Sequence, residues 1–199
     1  MLPAICKRAG IDPATATVAL VSDPDMGFPG AKDLDLQRNF SEFKGARRIT
    51  LAALKNLDVQ DYPLLVPALG EEFPAAYSPD LLDYLRRGGT LLLPAGLPFY
   101  YNLELDGKGG AIRAQVNDKS LKGFHIGWEA WWTNPDVPRK ETYQKNAPGF
   151  ENLPAPKPKA NGRFLHSRNL KEGDRFIPIV EAGSDNYRGV VTALYQFDS

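Results

Sequence analysis

Two acidic clusters, two histidines, one cysteine and a tryptophan-rich segment hold the side chains of this sequence that could do chemistry. Asp23 and Asp25 stand in SDPD, directly after the apolar run ATVALV, and Glu71 and Glu72 follow a second run, LLVPAL. Both pairs would sit beyond the C-terminal ends of strands, where open α/β sheets hold ligands. A carboxylate from one loop facing one from the other, Asp23 with Glu71 or Glu72, could work as an acid–base couple. The competing reading is that Asp23 and Asp25 make turns, which Asp side chains favour by bonding nearby backbone N–H groups. Carboxylates there would also suit a hard cation, but the D-x-D-x-D-G spacing of a calcium loop is absent, and no metal is assigned.

His125 lies in GFHIGW and His166 in FLHSR, neither in a His-x-Glu pairing. His125 is read as a half-buried, hydrogen-bonded histidine, with a role as base in a cleft as the alternative. Trp128, Trp131 and Trp132 crowd the segment GWEAWW. Flat aromatic rings pack the open end of a sheet, anchor protein interfaces or stack on sugars, and all three readings stay open. Cys6 is the only cysteine, so no internal disulfide can form. It reads as a small apolar residue on an N-terminal helix, because Lys7 and Arg8 are too near in sequence to face it. No G-x-G-x-x-G follows the first apolar run. Gly107-Lys108-Gly109-Gly110 lacks the Ser or Thr of a phosphate loop, so neither nucleotide nor other cofactor is expected.

These residues need a frame. Residues 16–23 read as a buried parallel strand, a continuous apolar run rather than an alternating one. Phe40, Phe43, Ala46, Ile49, Ala53, Leu54 and Leu57 recur at spacings of three and four, which predicts an amphipathic helix across FSEFKGARRITLAALKNLDV. Leu64–Val66 is the next strand. In SPDLLDYLRRGG, Ser78 is placed to cap, Pro79 suits the first helical position, Leu81, Leu82 and Leu85 form the inward stripe, and Gly88 can take a left-handed cap. Thr90–Leu93 follows as a strand. Strand and helix alternating in this way imply right-handed βαβ units and a mostly parallel sheet.

Beyond residue 101 the pattern changes. ELDGKGGAIRAQV (104–116) reads as a hairpin or irregular excursion. Residues 134–162, with prolines at 135, 138, 148, 154, 156 and 158, read as a long loop wrapping the surface. Two closing strands, 175–181 and 189–197, joined by a Gly-Ser-Asp-Asn turn, are expected to close one edge of the sheet. The fold class is thus α/β: a three-layer sandwich with a flavodoxin-like, mostly parallel sheet and an antiparallel C-terminal addition. Residues 1–199 are read as one domain excised from a longer chain.

Composition narrows the function. Lys plus Arg and Asp plus Glu number 24 each, without a basic run, which argues against a nucleic-acid partner. No apolar stretch approaches the roughly 18–20 residues that span a bilayer, so no membrane partner is expected. The first residues lack the basic and apolar regions of a secretion signal, and the compartment of a longer parent stays open, secreted and periplasmic included.

Three segments together, DYPLLVPALGEEFP, SPDLLDYLRRGGTLLLPAG and IPIVEAGSDNYRGVVTALYQFD, resemble the class I glutamine amidotransferase-like superfamily, in its non-amidotransferase branch. That branch includes the trimerisation domain of certain β-galactosidases. Asp61, Tyr62, Gly88, Gly89 and Thr90 carry the likeness, which covers about half of the chain. Amidotransferase members use a cysteine on a tight elbow after a strand, with a later His and Glu. The resemblance places that elbow near Pro94–Ala95, where neither residue is a nucleophile. It implies a non-catalytic accessory domain of a larger, glycan-processing protein, partnered by neighbouring domains or a second copy. A carbohydrate-binding module using the tryptophans is one alternative. A hydrolase using Asp23, Glu71 or His125 is the other.

Overall fold

A computed structural model of the chain describes residues 2–22, 40–69, 71–93, 99–108, 110–116, 123–131, 140–143, 149–150, 162–184 and 187–197. The chain divides into two compact units, one of residues 5–123 and the other of residues 1–4 with 124–199. The division falls within the first helix, α1 (Leu2–Arg8).

The larger unit is built on a four-stranded parallel sheet. Its strands are β1 (Thr17–Val21), β2 (Gly45–Ile49), β3 (Leu64–Pro67) and, after a two-residue strand β4 (Glu72–Phe73), β5 (Thr90–Leu91), in the order β2-β1-β3-β5. β1 is central because its side chains need no water on either face: Val18, Ala19, Leu20 and Val21 are all fully buried. Val18 pairs with Ala46 on one side and Leu64 on the other.

The helix expected across residues 40–59 does not form. A tight turn closes from the Phe43 N–H to the Phe40 carbonyl, β2 follows, and Leu51–Asn56 coils as a 3₁₀ helix. Two causes combine. Spacings of three suit 3₁₀ turns as well as α-helix, so Leu51, Leu54 and Leu57 all reach the core from the tighter coil. The buried backbone of β1 also needs hydrogen-bond partners on both sides, and β2 supplies one side. Arg47 and Arg48 stay exposed, as an edge strand permits.

The second helix, α2 (Ser78–Arg86), runs straight on from a 3₁₀ turn at Ala75–Tyr77. Tyr77 therefore takes the cap position expected of Ser78, which stands instead as the first helical residue. Leu81 and Tyr84 are fully buried, whereas Leu82 and Leu85 are only half-buried. Gly88 takes the left-handed conformation at φ 94°, as expected of the residue after the helix. The Tyr84 ring occupies the space where a Gly89 side chain would be, and its hydroxyl donates to the Tyr62 carbonyl at 2.9 Å. Arg87 ties the helix end down, its Nη1 donating to the Leu57 carbonyl at 2.8 Å. A smaller sheet joins β4 to the hairpin of β6 (Tyr101–Leu105) and β7 (Ala111–Val116), so the excursion at 104–116 is a hairpin. Its turn is closed by Asp106, whose Oδ1 accepts N–H bonds from Lys108 and Gly110.

The smaller unit is a five-stranded antiparallel sheet. Its strands are β8 (Gly127–Trp131), β9 (Lys140–Tyr143), β10 (Gly162–His166), β11 (Arg175–Ser184) and β12 (Tyr187–Gln196), in the order β8-β10-β12-β11-β9. The two closing strands are present, but they pair within this separate sheet and do not close an edge of the parallel one. β9 lies inside the segment expected to be a loop. It pairs with β11 from Val180 to Gly183. Pro178 has no N–H for the ladder, and the register slips beside it, leaving Ile179 buried. Gly189 is required by Phe164, whose ring atoms lie 2.3 Å from where a β-carbon would stand.

Candidate functional site

The acidic residues at the parallel sheet are only partly in view. Asp23 and Asp25 lie outside the described residues. Ser22, which precedes them, accepts a 3.1 Å hydrogen bond on its hydroxyl from Arg48 Nη1. Glu72 is buried, and Arg113 on β7 donates to its Oε1. The Arg113 guanidinium also lies 4.3 Å from the Tyr101 ring centre, and the Glu72 carboxylate raises its pKa further. Glu72 thus joins two strands of the hairpin sheet and is committed to a cation. The Glu71 carbonyl accepts the Tyr101 N–H at 2.9 Å, part of the same β4–β6 junction. Cys6 is fully buried on α1, and burial followed by the charge of Glu42 pushes its thiol pKa up. A buried, protonated thiol is a poor nucleophile, as the small-apolar reading requires.

In the smaller unit Trp128 is half-buried on β8 opposite Leu165, and Trp131 ends that strand opposite Gly162. Trp132 lies outside the described residues. The Trp128 carbonyl lies 3.0 Å from His166 Nε2, while His166 Nδ1 accepts the Arg168 N–H at 3.3 Å. Those two bonds fix His166 as the neutral Nε2–H tautomer with both nitrogens used. Its ring also fills the space beside Gly127. His166 is a structural histidine.

His125 is placed differently. It stands at φ 54°, in the left-handed region, between buried Phe124 and Ile126. For a residue with a side chain that conformation costs on the order of 1 kcal/mol or more, and the surrounding packing must hold it. The residues that follow His125 are tied down: Asn169 Nδ2 donates to the Ile126 carbonyl at 2.9 Å, and the Tyr195 hydroxyl shares its one proton between the His166 carbonyl at 3.1 Å and the Gly127 carbonyl at 3.4 Å. Burial raises the Tyr195 phenol pKa, so the hydroxyl stays a donor.

The imidazole so placed meets Asp174, with Nδ1 2.6 Å from Oδ2. The carboxylate side chain is 2% exposed and the imidazole 16%. Because an ionised carboxylate only accepts, Nδ1 carries the proton and Nε2 the lone pair in the neutral ring. Asp174 Oδ2 is itself oriented by the Lys171 N–H at 2.8 Å. The Phe197 ring packs edge-on against the imidazole at 5.4 Å. Among the described residues Nε2 has no hydrogen-bond partner.

Of the expected site residues, then, Glu72 and the Trp128 carbonyl are bound into structure, and His125 is half of an oriented pair. Asp174 was not among the candidates. It stands in KEGD, a composition that reads only as a turn, 49 residues from its partner. Among the described residues no group of three or more His, Cys, Asp or Glu is gathered as a metal site would need. Comparisons with protein-family models, curated proteins and solved structures return no match.

Proposed function

We propose that the chain is an accessory interaction module of a larger, glycan-processing protein, in which an amidotransferase-like, flavodoxin-like three-layer unit is non-catalytic. The observation that carries this reading is the sequence of the segment after β5. β5 is the fourth strand of the parallel sheet, and the segment that leaves it, Leu92-Leu93-Pro94-Ala95-Gly96-Leu97-Pro98, contains no thiol, hydroxyl, imidazole or carboxylate side chain. The sheet order β2-β1-β3-β5 matches the first four strands of the flavodoxin-like order, which supports placing the elbow there. Cys6, the one thiol of the chain, is buried on α1 and offers no substitute.

A module without chemistry at that edge works through contact. Its partners are a second copy or neighbouring domains of the parent. Two measurements test the two halves of the reading. Incubation with glutamine should release no ammonia above the buffer rate, and release that an alkylating agent abolishes would overturn the non-catalytic half. Light scattering over a range of concentrations should show association of the chain with itself or with a longer stretch of its parent. A monomer in both preparations would remove the interaction half.

A further inference from the structure

We propose that His125 and Asp174 form a general-base site that activates water against an acyl ester. The pair lies in the unit of residues 124–199 and makes no use of the segment after β5, so it stands or falls apart from the accessory reading.

Three features separate this histidine from a structural one. Its Nδ1 is held at 2.6 Å by a carboxylate whose side chain is 2% exposed, so tautomer and ring orientation are set. Its backbone is kept at φ 54°, and the bonds from Asn169 to Ile126 and from Tyr195 to Gly127 fix the two residues that follow it. Its remaining nitrogen has no partner among the described residues, while both nitrogens of His166 in the same unit are used. A half-buried imidazole nitrogen left open by the described residues takes its hydrogen bond from water or from a ligand. Backbone strain combined with an oriented, unsatisfied base is an arrangement that functional sites maintain.

The chemistry follows from what one base can do. Nε2 takes a proton from a water molecule as the water oxygen bonds to the carbonyl carbon. Asp174 stabilises the imidazolium this creates without taking its proton. The tetrahedral intermediate then breaks its bond to the alkoxy oxygen, which leaves with the proton from Nε2–H, and the neutral ring returns. Ester and water become acid and alcohol. Glycoside cleavage needs a pair of carboxyl groups about the bond, which this pair does not supply, and an amide has a far poorer leaving group. An ester asks only for the base. Asp174 is a positioning residue in this step, and His125 is the catalytic one.

The test uses the full chain with 4-nitrophenyl acetate as probe, followed well past 12 equivalents of product, one for each lysine, so that acylation of lysines is not counted as turnover. His125→Asn is the informative variant because Asn tolerates the left-handed backbone. Its kcat should fall about 10²–10⁴-fold, the usual contribution of a positioned base. Asp174→Asn should lower kcat and change the pH profile while leaving KM near its wild-type value. Far-ultraviolet circular dichroism checks that each variant folds. A second measurement needs no variant: diethyl pyrocarbonate, mapped by mass spectrometry, should carbethoxylate His125 well before His166. Turnover equal in wild type and His125→Asn, or His166 reacting first, overturns the proposal.

Discussion

Replacing Gly89 by alanine tests the junction on which the fold assignment leans. An ideal β-carbon at Gly89 would stand 2.3 Å from Cε1 and Cζ of Tyr84 and 2.7 Å from Cδ1. The ring cannot yield cheaply, because Tyr84 is fully buried and its hydroxyl holds the Tyr62 carbonyl at 2.9 Å. Overpacking of this kind costs about 1–3 kcal/mol, and loss of the hydroxyl bond adds about 1 kcal/mol. A total of about 3 kcal/mol is roughly a hundred-fold in the folding equilibrium. If the chain unfolds as one unit of this size, Tm falls by about 6–12 °C. Urea unfolding with equal m-values reads the difference directly.

The clash should also vanish with its partner. In a Tyr84→Leu background, Gly89→Ala should be neutral or stabilising by up to about 1 kcal/mol, because Gly89 is outside the left-handed region and alanine restricts the unfolded chain. A Gly89→Ala cost below about 0.5 kcal/mol, or one unchanged by Tyr84→Leu, would refute the reasoning.

Two further outcomes concern pH. Burial raises the Tyr195 phenol above its ordinary value of 10.0, so its contribution to stability is whole below about pH 10 and is lost as pH rises past it; Tyr195→Phe should flatten that alkaline limb in a pH series of urea midpoints. Asp106 behaves in the opposite sense. The N–H groups of Lys108 and Gly110 hold its carboxyl below the ordinary 3.8, so its contribution is present above about pH 4 and lost as pH falls further; Asp106→Asn should remove that part of the acid limb by lowering stability at neutral pH towards its value in acid.

The sequence disclosed its parallel core because β1 and β3 are continuous apolar runs, a pattern only strands buried on both faces need. The closing strands were legible from their β-branched runs and polar turn. β2 was not, since an edge strand carrying Arg47 and Arg48 between leucines and phenylalanines at spacings of three imitates a helix. Its identity is set by the unpaired side of β1, a requirement no local window contains. β9 was hidden among prolines. The polar pairs were equally hidden: Glu72 meets Arg113 across 41 positions, and His125 meets Asp174 across 49. Spacing identified which residue types could act and could not tell which were already spoken for.

That distinction decides between the two histidines. Both were visible as candidates, both lie in the same unit, and each touches the β8–β10 edge, His166 from β10 and His125 just before β8. His166 gives one nitrogen to a carbonyl and the other to a backbone N–H, so protonating it would break a bond. His125 gives one nitrogen to a buried carboxylate, so protonating the other breaks nothing and turns the hydrogen bond into an ion pair. The same side chain therefore has both nitrogens engaged at one position and one nitrogen open, among the described residues, at the other. The proposed proton transfer therefore rests on His125, and the carboxylate that orients it is a residue that reads, in sequence, as nothing more than the end of a turn.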